Sequence, residues 1–163
     1  MSSLPSDIKA ALAPKGRTLL ITVGSVLRAD DGVGPFIGEN LRFSGEGRKV
    51  INAYTTPENI AQTAIDWKPD KIVLIDAARF GGEPGDFSVI PLEKINQQAA
   101  LSTHNFPLSV TFSIITQDTG AELVALGIEP GSMDYAEGLT PEVKDSALNL
   151  IEYFNNIDSV DGK

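Results

Sequence analysis

The chain has no cysteine in its 163 residues. That excludes disulfides, a thiolate nucleophile and any thiolate-held zinc or iron–sulfur site. Histidine is nearly as scarce. A single imidazole, His104, excludes the paired histidines of an HExxH zinc helix. Basic residues are in deficit: 13 Lys and Arg face 22 Asp and Glu, for a formal charge of −9. Such a surface repels phosphate backbones and anionic lipid, so neither nucleic acid nor membrane is expected as a partner. No apolar run reaches the length of a signal peptide core or a membrane span, which predicts a soluble, cytoplasmic protein. The glycine-rich stretches lack GxGxxG and the Lys-Ser/Thr pair of a phosphate loop. No Ser-His-Asp triad can be assembled from the pattern of residues.

What is present reads as one domain. The length suits a single core, and 42% hydrophobic with 21% charged residues is globular composition. Residues 1–16, with Pro5, Pro14 and Gly16, have little pattern and are expected to be a loosely ordered lead-in. The domain proper spans 17–157, and 158–163 are expected to fray. Within it, short β-branched runs at 18–23, 49–54, 71–76, 86–90 and 122–128 alternate with helical spacing at 33–43, 57–67, 107–119 and 141–155. The 91–106 stretch reads as irregular. Thr-Pro-Glu occurs twice, at 56–58 and 140–142, as a helix opening with Thr at the N-cap. The alternation predicts a doubly wound, three-layer α/β/α sandwich around a mostly parallel sheet. Its site should lie beyond the carboxyl ends of the strands, where the strand order reverses.

That rule selects three places. After the first strand comes GSVLRADDGVG, residues 24–34, with the acid pair Asp30 and Asp31. Either acid could instead cap the following helix, a role worth about 1 kcal/mol. Asp76 ends the most apolar strand, where a solitary acid is costly unless hydrogen-bonded, exposed in a crevice or bound to a cation; capping the next turn is the structural alternative. His104 lies in STHNFP just ahead of a helix, on a segment able to fold over the strand ends. Two carboxylates and one imidazole with open positions form a ligand set for nickel, zinc or iron. Three side chains hold a metal incompletely, which suits an ion that arrives on something else.

These motifs together resemble the hydrogenase maturation endopeptidases. Members of that family remove a C-terminal extension from the large-subunit precursor of [NiFe] hydrogenases once nickel is in place. GSVLRADDGVG is similar to the family's opening motif, Asp76 in VLIDA to the acid ending its third strand, and THNFPL at 103–108 to its histidine segment. The last is in the form of the branch serving formate-hydrogenlyase-type hydrogenases. The resemblance covers about residues 18–155. It implies a five-stranded sheet, a monomer, and Asp31, Asp76 and His104 as the contacts to nickel carried by the substrate, with no resident cofactor. Ser25 stands where many members have Asn. Asn52-Ala53-Tyr54 replaces a frequent Asp-Gly-Gly in the loop at 52–59, which the resemblance associates with choice of precursor.

The residues leave the nucleophile open. Nickel could polarise the scissile carbonyl and acidify a water, with a carboxylate taking the proton, or it could serve only as a docking check. Two other readings compete. A receiver-like signalling domain would use Asp76 as phosphoacceptor, but it needs acids abutting the first strand and a Lys after the last, where the chain has LGIEP. A self-sufficient metal hydrolase of small substrates would retain a stoichiometric ion.

Overall fold

The computed structural model describes residues 4–98 and 107–161. Five strands, β1 (Thr18–Val23), β2 (Arg48–Tyr54), β3 (Lys71–Ala77), β4 (Phe87–Val89) and β5 (Glu122–Ile128), form one sheet in the order β2-β1-β3-β5-β4. All neighbours are parallel except β4, which runs antiparallel to β5 at the edge. β1 and β3 are buried along their whole length, which explains why both are mostly apolar with no polar alternation. Side chains alternate across the sheet. Val73, Ile75 and Ala77 join one core layer with Val33, Ile37 and Val143. Ile72 and Leu74 join the opposite layer with Ala64, Leu108, Phe112 and Ile115. Helices α1 (Ser6–Leu12), α2 (Val33–Asn40) and α6 (Pro141–Asp161) cover the first face, and α3 (Ala61–Trp67) and α5 (Leu108–Thr119) the second. The three-layer sandwich is therefore as the alternation of elements predicts.

Several elements differ from expectation. The lead-in is not loose: Ser6–Leu12 is helical, and Leu4, Ile8 and Leu12 are buried in the first core layer. Lys71, at the start of β3, is itself buried and donates from Nζ to the carbonyls of Ala11 and Ala13, both at 2.7 Å. Burial pulls its pKa down, with Glu122 opposing. A lysine at the foot of an apolar strand thus ties down the end of α1. The 91–106 stretch contains a 3₁₀ turn (Leu92–Lys94) and α4 (Ile95–Gln98) before the described residues stop. Helix α6 continues past Asn155 to Asp161. Thr56 makes no side-chain cap, and a 3₁₀ turn at Pro57–Ile60 precedes α3.

Replacing Lys71 by Met should cost about 1–3 kcal/mol, since two charge-assisted hydrogen bonds to the end of α1 are lost. Urea denaturation measures it. An unchanged midpoint would mean that α1 is held by its apolar side chains alone.

Candidate active site

The strand order reverses between β1 and β3, and the two acids singled out from sequence flank that point. The loop after β1 turns back at Gly24 (φ 147°), where any Cβ would collide with the Asp31 carbonyl. A 3₁₀ turn, Ala29–Gly32, then carries both acids, and α2 follows directly. Ala29 enters the turn at φ 47°, a left-handed conformation uncommon for a residue with a Cβ. Its amide donates to the Ala136 carbonyl at 2.7 Å, which fixes the loop against the chain preceding α6.

Asp30 and Asp31 are both fully buried, yet they do opposite things. Asp30 Oδ2 accepts from the Gly131 and Ser132 amides (2.7 and 3.0 Å) and from the Thr140 hydroxyl (2.7 Å), while Oδ1 accepts from the Thr140 amide (2.7 Å). It binds the 131–140 segment to the loop after β1. Asp31 Oδ2 accepts only the Ser25 amide, at 3.0 Å, and Oδ1 has no partner. Neither acid caps α2, whose N-cap Gly32 has no side-chain bond to help it. The expected cap at Thr140 is likewise diverted, because its hydroxyl serves Asp30.

Asp76 is 5% exposed, and neither of its carboxyl oxygens has a hydrogen-bond partner. It therefore does not cap the turn after β3. By strand alternation it shares the face of Leu74, toward α3 and α5. A crevice of about 10 Å³ beside it is lined by Leu74, Ile90, Ile95 and Ala125. An ordered water needs two to four polar partners, and these aliphatic walls supply none. Burial pushes the Asp76 pKa well above the ordinary carboxylate range, and the charge of Asp31 adds to the shift. The Ala77 amide opposes it without the geometry of a hydrogen bond. Asp31 is also raised, by burial, with the Ser25 amide and then the Arg28 charge pulling back. Among the described residues five buried side-chain polar atoms lack a partner, and four belong to Arg28, Asp31 and Asp76. The unsatisfied polarity of this fold is concentrated at one place.

His104 lies outside the described residues. Among those described, no third Asp, Glu or His joins the pair closely enough to complete a metal site. Sequence reasoning missed two further buried acids with structural work. One is Asp30 in its role of holding 131–140. The other is Glu129, directly after β5, whose Oε1 accepts the Phe80 and Gly82 amides (2.9 and 3.0 Å) and secures the turn after β3. The signal for Glu129 was its place after an apolar strand, the same signal that singled out Asp76. Asn52, expected on the variable loop, is used internally: it accepts from Thr22 Oγ1 and donates to the Pro35 carbonyl. Tyr54 remains on the rim, 40% exposed, with its hydroxyl donating to Glu39 at 2.7 Å.

Asp30 and Asp76 should respond oppositely to replacement of the carboxyl by an amide. Asp30→Asn should destabilise by roughly 2–3 kcal/mol, because several amide donors lose an ionised acceptor. Asp76→Asn should instead raise the melting temperature near neutral pH by a few degrees, about 1 kcal/mol. The folded state holds the Asp76 proton more tightly than the unfolded chain does. Stability should thus fall as pH rises from about 3.9 toward the raised folded value, and that slope should shrink in Asp76→Asn. Thermal melts across pH decide between this and a satisfied carboxylate, for which the slope would have the reverse sign.

Comparison with known proteins bears on the family and the fold. The model of the HycI hydrogenase maturation protease family matches residues 37–156. The hydrogenase 3 maturation protease of Escherichia coli K12 is 30% identical over 135 residues, 82% of this chain and 86% of the relative. A putative hydrogenase maturation protease of Methanocaldococcus jannaschii is 29% identical over 144 residues, covering 83% and 84% of the two chains. The crystal structure of the [NiFe] hydrogenase maturation protease HycI from Thermococcus kodakarensis superposes with a TM-score of 0.81 at 31% identity, over 93% of this chain and 98% of that one. The receiver-like alternative has no further claim, because the sheet's last two positions are β5 and an antiparallel β4 instead of two parallel strands. With its paired acids at the switch point of a five-stranded sheet, this chain belongs to the hydrogenase maturation protease family and is a peptide hydrolase.

Proposed function

We propose that the chain removes the C-terminal extension of a [NiFe]-hydrogenase large-subunit precursor after nickel insertion, and that it reads the substrate's nickel through Asp31, Asp76 and His104. The observation that carries this reading is Asp76, a buried carboxyl with no donor on either oxygen, beside a second carboxyl with one oxygen free. Such an arrangement is costly to maintain and is relieved by a cation. A divalent ion presented by the precursor supplies the missing charge, and the ion leaves with the product.

Two features support His104 as the third contact. Asp76 faces the α3/α5 side of the sheet, and the chain on either side of residues 99–106 is anchored on that same side. Ile95 lines the crevice beside Asp76, and Leu108 is buried in the same core layer as Leu74. A neutral imidazole is also the borderline ligand that nickel prefers alongside carboxylates.

The proton on Asp76 sets the order of events. Nickel must displace it to bind, so the carboxyl acts first as an acid that releases a proton to solvent or to a nearby base. Asp31, with one oxygen already held by the Ser25 amide, presents its other oxygen in a fixed direction. Once nickel is engaged it can polarise the scissile carbonyl, and whichever carboxylate oxygen is not on the metal can take a proton from the attacking water.

The decisive experiment incubates the purified chain with nickel-loaded and nickel-free precursor and weighs the C-terminus by mass spectrometry. Cleavage should occur only with nickel. Asp31→Asn, Asp76→Asn and His104→Ala should each abolish it in folded protein. Because binding must expel a proton from a carboxyl with a raised pKa, the rate should climb with pH above the ordinary carboxylate range. Efficient cleavage of metal-free precursor, or active variants at all three positions, would overturn the reading.

A further inference from the structure

Resting on that reading, we infer that a groove beside the Asp31 turn seats the precursor's C-terminal extension as an extended, largely apolar peptide, with Lys144 pairing with an acidic group on it. The groove encloses about 300 Å³ between the loop after β1, α2 and the start of α6. Val26, Ala29, Phe36 and Leu139 give it apolar walls, and Gly32 and Gly138 keep it open at backbone level.

Three observations identify the occupant. The first is proximity: Ala29 and Gly32 line the groove and also bracket Asp30 and Asp31 in one 3₁₀ turn, so a chain lying in it borders the turn that carries both acids. The second is exposed apolar surface. Val26 (46%), Leu27 (61%) and Tyr135 (84%) stand out to solvent around the same loop, a concentration that a monomer's surface rarely shows without use. The third is charge. The protein carries −9, yet the groove contains an ammonium, Lys144, with no ion-pair partner among the described residues. The groove's one carboxylate, Glu39, accepts the Tyr54 hydroxyl. Of the two opposite charges in the groove, Lys144 is therefore the one whose head group has no partner among the described residues, which favours a carboxylate on the incoming peptide, either an acidic side chain or the terminal group.

The geometry also explains how Tyr54 contributes to selection. At φ 50°, at the irregularity in β1–β2 pairing, it donates its hydroxyl to Glu39, a residue of the groove wall, and so stands next to the groove. Its ring presents rigid contact area at low entropic cost.

The test uses the full chain and a synthetic peptide carrying the C-terminal extension of the organism's own large-subunit precursor. In amide NMR spectra the peptide should shift Ala29, Gly138 and Lys144, and Lys144→Glu and Val26→Asp should each weaken its binding about tenfold. Both substitutions are at the surface and outside the candidate catalytic trio. Against nickel-loaded precursor both should raise KM about tenfold with kcat nearly unchanged. Amidating the peptide's C-terminus, or neutralising its acidic side chains, identifies which group Lys144 meets. Peptide shifts confined to another surface, or unchanged KM in both variants, would overturn the inference. So would concentration-dependent loss of the same amide signals without peptide, which would assign the groove to a second copy. If the wild-type chain cleaves no precursor, the proposed function fails, and the peptide shifts still decide the groove.

Discussion

A carboxyl group without a hydrogen bond, placed near the carboxyl end of a strand buried along its whole length, is the constraint around which this fold is arranged. Asp76 lies where β3 emerges at the switch point, and Asp31 is close enough to raise its pKa further. Desolvation and like charge both work against ionising the pair. The fold tolerates this because the surroundings are well satisfied. Lys71 holds the opposite end of β3 against α1. Glu129 fixes the turn after β3. Asp30 binds the segment before α6 to the loop that presents Asp31. Among the described residues the buried polar side-chain atoms elsewhere are paired, Glu58 Oε1 excepted, while several here are left unpaired, a pattern expected of sites that wait for a ligand.

The adjacent acids make the division of labour plain. Asp30 and Asp31 share a turn, a charge and complete burial, but their environments differ by the number of donors within reach. Asp30 meets four donor groups across some hundred residues of sequence and becomes a fixed acceptor with a structural task. Asp31 meets one amide and keeps an oxygen in reserve. The anchoring also gives the groove beside the turn its shape, because the segment that Asp30 captures supplies Gly138 and Leu139 to the wall. Catalytic presentation and peptide seating thus depend on the same hydrogen bonds.

Much of this was legible in the sequence because it follows from periodicity. The runs at β1, β3 and β5 are mostly apolar without polar alternation, which marks strands covered on both faces, and the switch-point rule then points to the residues at their carboxyl ends. Asp76 and the pair Asp30 and Asp31 were singled out in that way, and the choice of Asp31 within the pair rests on the family resemblance. What was not legible depends on contacts between distant positions. Nothing local distinguishes Asp30 from Asp31, since the donors to Asp30 come from residues 131, 132 and 140. The two Thr-Pro-Glu openings look alike, but Thr56 makes no cap and Thr140 turns its hydroxyl to Asp30. Helix α1 was hidden by its prolines, which here flank the helix instead of interrupting it, and by a lysine whose partners lie sixty residues away.

The central claim is that Asp76 is held protonated and unpaired beside Asp31 until a cation arrives. Carboxyl-carbon NMR of the folded protein, titrated with pH, tests it most directly. The account predicts that the Asp76 resonance titrates well above the ordinary carboxylate range, that Asp31 titrates above it too, and that adding a diamagnetic divalent ion such as zinc moves both resonances and releases a proton. An Asp76 that titrates near 3.9 like a free side chain, or that ignores the metal, would contradict it.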